Sequence, residues 1–118
     1  MKGHTLGRLG ERLAADHLRR RGYRILDRNW RASAGEVDIV AQQGNEYVFI
    51  EVKTRRGRAF GAPEEAVTPR KLERLCAVAE AWLADHVGDA AVNWRIEVVA
   101  VELDRKGHVV RVDVVPFV

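Results

Sequence analysis

The sequence predicts an α/β fold: a central mixed β-sheet flanked by helices, in the order αβββαββ. Three observations predict it. Two stretches carry apolar residues at helical spacing, around residues 6–21 and 69–86. Five other stretches are short, apolar and rich in Val and Ile, as strands are. Two of these five are joined by Gly44-Asn45, a hairpin signal. At 118 residues the chain makes one domain with a real core.

The first helix places Leu6, Leu9, Leu13 and His17 on a stripe, with Leu18 at its edge. Thr5 is its expected cap and Gly22 its expected end. Tyr23 to Trp30 reads as a strand, and residues 31–35 as a loop. Residues 36–41 and 48–53 are the hairpin strands, and the three strands can form a meander. A glycine-punctuated loop from Arg55 to Val67 leads to the second helix. There Thr68 is the N-cap, Pro69 the first helical residue, and Leu72, Leu75, Cys76, Ala79, Trp82 and Leu83 the apolar stripe. The helix stops near residues 86–88. Trp94 to Leu103 is a buried strand, which can return parallel to an earlier one through that helix. His108 to Val115 is the last strand.

Composition excludes several classes. A hydrophobic content of 47% argues against disorder. No apolar run is long enough to span a bilayer, and residues 1–5 carry no signal-like stretch, so the expected location is cytoplasmic, away from membranes. One cysteine, Cys76, excludes an internal disulfide and a cysteine-based zinc cluster. The net charge of +3 is unevenly spread. Residues 1–31 hold nine Lys/Arg against three Asp/Glu, and residues 53–74 seven against three. Two readings stand: a basic surface for nucleic acid, or a solvated, salt-bridged one.

The hairpin carries the chemistry. Alternation puts Val37, Ile39, Ala41, Val48, Ile50 and Val52 on one face, and Glu36, Asp38, Glu51 and Lys53 on the other. A two-residue loop sets Asp38 opposite Glu51 and Glu36 opposite Lys53. Like charges so placed repel, and the pair invites a cation. Asp38 and Glu51 can bind Mg²⁺ or Mn²⁺, with the backbone carbonyl of Val52 as a further oxygen ligand. Lys53 can stabilise developing charge or orient water. Alternatively the face is solvated, with Glu36 and Lys53 paired across the strands. Tyr47 and Phe49 on the same face argue that it is partly covered.

The other candidates also carry two readings. Glu11 either points into the site and assists through water, or is a surface partner of Arg8 or Arg12. Arg8, Arg12 and Arg19 share a helix face that can follow a nucleic-acid backbone. Arg70, Lys71 and Arg74 crowd a helix start, where a docked phosphate would relieve the conflict with the dipole. Arg55, Arg56 and Arg58 either close over a substrate strand or lie on a solvated loop. Trp30 beside Arg31 suits packing or base contact, whereas Trp82 and Trp94 suit packing. The four histidines show no metal-ligand spacing.

Gly10-Glu11, Gly22-Tyr23, Arg28-Asn29-Trp30-Arg31, Gly35-Glu36-Val37-Asp38 and Phe49 to Arg55 together resemble the YraN family of bacterial proteins. The resemblance continues through Phe60-Gly61, Glu65-Ala66-Val67, Pro69-Arg70-Lys71 and Arg95 to Val99. Glu97 stands where that family usually has Asp, and reads as strand packing. The family is similar to archaeal Holliday-junction resolvases and the PD-(D/E)xK nuclease superfamily. The resemblance implies a restriction-endonuclease-like fold, with Asp38, Glu51 and Lys53 as the catalytic triad and Glu11 as the helix-borne acid. It also implies a DNA partner, with branched DNA among the candidates, and a homodimer. The expected function is that of a metal-dependent endonuclease. The alternative is a non-catalytic nucleic-acid-binding adaptor in repair, recombination or uptake.

Overall fold

A computed structural model describes residues 2–117, with side chains from Leu6 to Phe117. Its elements are α1 (Lys2–Arg20), β1 (Arg24–Ala32), β2 (Gly35–Gln43), β3 (Glu46–Arg56), a 3-10 turn (Pro63–Ala66), α2 (Pro69–His86), β4 (Asn93–Leu103) and β5 (Val109–Pro116). The five strands form one sheet in the order β1-β2-β3-β4-β5. All neighbours are antiparallel except β3 and β4, which run parallel because α2 carries the chain back across the sheet. This is the mixed sheet and αβββαββ order of a nuclease-like fold.

One helix covers each face. On the α1 face, Ala14, Ala15 and Leu18 pack on Ile39, Ala41, Val48, Ile50, Val99 and Val101. On the α2 face, Leu75, Val78, Ala79 and Trp82 pack on Val37, Val40, Phe49 and Ile96. The buried line of α1 therefore runs through Gly10, Ala14 and Leu18, one step round from the expected leucine stripe. Small residues let the helix axis approach the sheet, and Leu6, Leu9, Leu13 and His17 flank the contact.

The helix ends follow local chemistry. Gly22 has φ +86°, and the Tyr23 N–H donates to the Leu18 carbonyl while that of Gly22 donates to Arg19, a Schellman end. The Lys71 N–H donates to the Thr68 hydroxyl at 3.3 Å, with Pro69 at the first helical position. At the other terminus α1 begins at Lys2, so the Thr5 backbone is already helical and Thr5 is not the cap. The Thr5 side chain lies outside the described residues. β1 extends to Ala32 and β2 starts at Gly35, which shortens the expected 31–35 loop to a turn.

The three tryptophans belong to the α2 layer. Trp82 is buried, stacks on His86 with centroids 4.2 Å apart and donates to Asp27 at 3.2 Å. Trp94 meets the Phe49 ring edge-on, and Trp30 meets His86. No described helix is long and apolar enough to cross a membrane.

Candidate active site

Gly44 takes φ +59° at the first loop position, so β2 and β3 pair in the expected register from Gln43↔Glu46 to Ile39↔Ile50. One residue short of Asp38 and Glu51 the ladder ends. Beyond it β2 continues alongside β1 alone, and β3 from Glu51 to Arg56 alongside β4 alone. The parted strands leave a notch. Asp38 reaches across it, its Oδ2 accepting the Val52 N–H at 2.7 Å, where a backbone carbonyl would otherwise sit.

Alternation breaks at the same level. Val37 packs with Leu75 and Val78 on the α2 face, while Ile39 faces α1. The expected shared face for Val37 and Ile39 is thus corrected. The break falls where β2 leaves β3 and where Asn29 has φ +51° inside β1, between Arg28↔Ile39 and Trp30↔Val37. The expected pairing of Glu36 with Lys53 is also replaced. Glu36 accepts from Arg31 at 3.2 Å, and Lys53 lies 3.0 Å from Glu51.

Two cavities open on the notch, one from each helix layer. The α2-side cavity, about 230 Å³, is lined by Glu36, Asp38, Glu51, Lys71, Arg74 and Leu75. The α1-side cavity, about 330 Å³, is lined by Glu11, Asp38, Glu51, Val52, Lys53 and Arg55 among others. Asp38 and Glu51 are common to both. The structure therefore brings together Glu11, Asp38, Glu51, Lys53, Arg55, Lys71 and Arg74. Glu11 is oriented by Asn29, whose Nδ2 donates to it at 3.0 Å, rather than by Arg8 or Arg12.

The electrostatics follow from burial. Asp38 is pushed up to about 8, first by desolvation, then by the charges of Glu51 and Glu11, against the pull of the Val52 N–H. The Lys53 ammonium beside Lys71 pulls the Lys71 pKa down. The buried Nε of Arg55 has no partner among the described residues.

Among the described residues no three His, Cys, Asp or Glu side chains gather as a metal cage. The donor set suits a cation held by two carboxylates, with water and substrate completing its shell, which is how Mg²⁺ is commonly bound. Val52 lines the α1-side cavity and its N–H donates to Asp38 at 2.7 Å; an extended residue turns its carbonyl to the same side as its N–H, so that oxygen also faces the notch.

The remaining predicted arginines, Arg31 among them, line neither cavity. Arg8, Arg12, Arg56 and Arg70 are exposed. Arg19 pairs with Asp16 at 3.5 Å, near the far end of α1. Arg58 is held by Glu102 in a two-point ion pair at 2.9 and 2.7 Å.

Sequence reasoning assigned no role to Gly10 or Asn29. A Cβ on Gly10 would lie 1.8 Å from the Thr54 Oγ1 and 2.9 Å from its Cβ, so glycine is what lets α1 carry Glu11 up to β3. Asn tolerates the left-handed region better than most residues, which is the one local signal position 29 offers.

Geometry and fold define an α/β protein whose sheet parts around two carboxylates and a lysine, between two helices. The model of the uncharacterised protein family UPF0102 matches residues 10–115, and the chain belongs to that family, the YraN family. A UPF0102 protein of Roseiflexus castenholzii is 46% identical over 112 residues, covering 95% of this chain and 90% of its own. A UPF0102 protein of Arthrobacter is 52% identical over 103 residues, 87% of this chain and 86% of its own. One from Moorella thermoacetica is 50% identical over 109 residues, 92% and 90% of the two chains.

Proposed function

We propose that this protein is a Mg²⁺- or Mn²⁺-dependent endonuclease that hydrolyses phosphodiesters in DNA, branched DNA included. One observation carries the reading: the half-buried carboxyl of Asp38 shares both cavities of the notch with Glu51, whose carboxylate lies 3.0 Å from the Lys53 ammonium. A purely structural pair of acids has no need to be desolvated at an opening reached from two sides. Asp38 and Glu51 would hold the ion, which when bound supplies Lewis-acid polarisation of a phosphoryl oxygen. Lys53 stabilises charge developing on the phosphoryl oxygens. Glu11, fixed by Asn29, orients a water on the α1 side. Arg55 on one side, and Lys71 with Arg74 on the other, contact the flanking phosphates.

A second reading, a nucleic-acid-binding adaptor without cleavage, draws on the ion pair between Lys53 and Glu51, which closes half of the acidic pair by itself.

Cleavage of linear, single-stranded, flap and four-way DNA in Mn²⁺ tests the proposal. Wild type is expected to cut at least one of them. Asp38→Asn and Lys53→Ala are expected to lower the rate at least about 100-fold with DNA binding retained. DNA binding without cleavage in any divalent cation selects the adaptor. Calorimetry showing no Mn²⁺ uptake in the presence of DNA overturns the enzymatic reading.

A further inference from the structure

We propose that Phe60 is a base-stacking residue, and that the turn carrying it takes an unpaired nucleobase of a DNA strand running on from the notch. The inference rests on the DNA partner of the proposed function and adds the kind of DNA that is selected. Phe60 is 89% exposed, whereas every other Phe, Tyr and Trp among the described residues is buried or half-buried. It is the third residue of the turn Arg58-Ala59-Phe60-Gly61, closed by the Gly61 N–H donating to the Arg58 carbonyl at 3.1 Å, with Gly61 at φ +88°. The turn is clamped on both sides. Before it, the Gly57 N–H donates to the Leu103 carbonyl at 2.9 Å, and Arg58 is held by Glu102. After it, the Ala62 N–H donates to Glu65 at 2.8 Å, Pro63 is buried and Glu64 is paired with Arg111. The ring is thus held out to solvent on a fixed support, and a preorganised contact loses little entropy on binding.

Charge and position choose the occupant. The acids near the turn are already engaged: Glu102 by Arg58 and Arg111, Glu64 by Arg111, and Asp104 by the N–H groups of Lys106 and His108. Arg56, Arg105 and Lys106 are exposed, and among the described residues they form no ion pair. A Cβ on Gly107 would lie 3.8 Å from the Arg56 guanidinium, so the β4–β5 turn brings Arg105 and Lys106 to the same end of the sheet. This end therefore attracts a polyanion. A phosphate track leads to it from the notch: Lys53, Arg55 and Arg56 follow one another on β3, and Lys53 to Arg56 spans about 10 Å of strand, about three base steps. A ring at the end of that track meets a base. A continuous duplex keeps its base faces stacked on one another and offers only edges, whereas a single strand or a gap offers a face to any aromatic ring, whatever the base. The other exposed large hydrophobics, Val109 and Val110, begin β5 on the far side of β4 from this track.

Fluorescence anisotropy in chelator, with a labelled thymidine oligonucleotide, a gapped duplex and a continuous blunt duplex, tests the proposal. Wild type is expected to bind the first two more tightly than the third. Phe60→Ala is expected to weaken binding to the single strand and the gap at least about fivefold, with duplex binding and circular dichroism unchanged. Phe60→Trp is expected to restore binding, and its added emission to be quenched by the single strand. Arg56→Ala with Arg105→Ala is expected to weaken binding to all three. A Phe60→Ala variant that binds the single strand as wild type does, or a wild type that prefers the continuous duplex, overturns the proposal. So does Phe60-dependent uptake by phosphatidylserine vesicles with DNA binding unaffected, which would make the turn a lipid contact. Cleavage is absent from the measurement, so the two readings part. A protein that cuts DNA but binds it without regard to Phe60 refutes only this inference. Phe60-dependent binding with no cleavage in any divalent cation refutes only the nuclease.

Discussion

Desolvation and two neighbouring carboxylates penalise the charge of Asp38 and push its pKa up to about 8, and a bound cation would oppose that shift. Its folded pKa, about 8, lies above its unfolded value of 3.8. Below pH 4 both states are protonated and the residue is neutral to stability. Between pH 4 and 8 the folded state keeps a proton that the unfolded state has lost, so stability falls as pH rises; above 8 the loss is complete. In chelator, wild type is expected to lose about 2–4 kcal/mol of unfolding free energy from pH 5 to 8. Asp38→Asn is expected to flatten that slope and be the more stable protein at pH 8. Urea titrations at several pH values check both. The position and register of this residue are legible from Gly44-Asn45 and the apolar alternation. Its anchoring on Val52 is not, because a side chain standing in for a strand leaves no mark on residue spacing. Nor is the capture of Arg58 by Glu102, two residues 44 positions apart.

The elements hold the site by close approach. Gly10 puts the backbone of α1 against Thr54, and the neighbouring Glu11 then reaches Asn29. Gly10→Ala gains helix propensity of about 1 kcal/mol, yet drives a methyl into Thr54. The collision is expected to win, with a net loss of about 1–3 kcal/mol and displacement of Glu11. Thr54→Ala in the same chain is expected to restore part of the loss, a coupling that a double-mutant cycle reads directly. Helix identity and three of the four helix ends were legible here, through Gly22, Thr68 and Pro69, whereas the start of α1 at Lys2 was not. The buried line of α1 was not, because glycine and alanine carry little hydrophobic signal. What buries them is the flatness they offer to the sheet. The face of Val37 was illegible for another reason: it lies beyond Ile39, where β2 leaves β3, and residue spacing does not mark where two strands part.

Across the whole molecule, charged groups in the interior serve two separate ends. The notch gives Asp38 one backbone N–H and two like-charged neighbours, whereas Glu97 on the α1 face is engaged by cationic and hydroxyl donors. It accepts from the Tyr23 hydroxyl at 2.6 Å and from Arg95 at 3.0 Å, and Arg95 also donates to Glu46 and Gln43. Reading Glu97 as packing thus agrees with its place in the fold. Glu97→Gln leaves a buried network short of one charge and is expected to cost about 2–3 kcal/mol in urea unfolding. Mn²⁺ binding by that variant is expected to match wild type, since no partner of Glu97 lines the notch. The order αβββαββ and the parallel return through α2 were legible, because each strand run and helix stripe has its own period.

Strand order also sets a folding schedule. Everything up to Arg56 pairs with neighbours close in sequence, and such local contacts form fast. The β3–β4 ladder joins residues about 47 positions apart, from Glu46↔Asn93 to Arg56↔Leu103, and must await α2. During synthesis β3 therefore emerges with one edge unpaired, and that edge stays uncovered until Leu103 has cleared the ribosome. A nascent chain stalled in that interval is the form most in need of a chaperone.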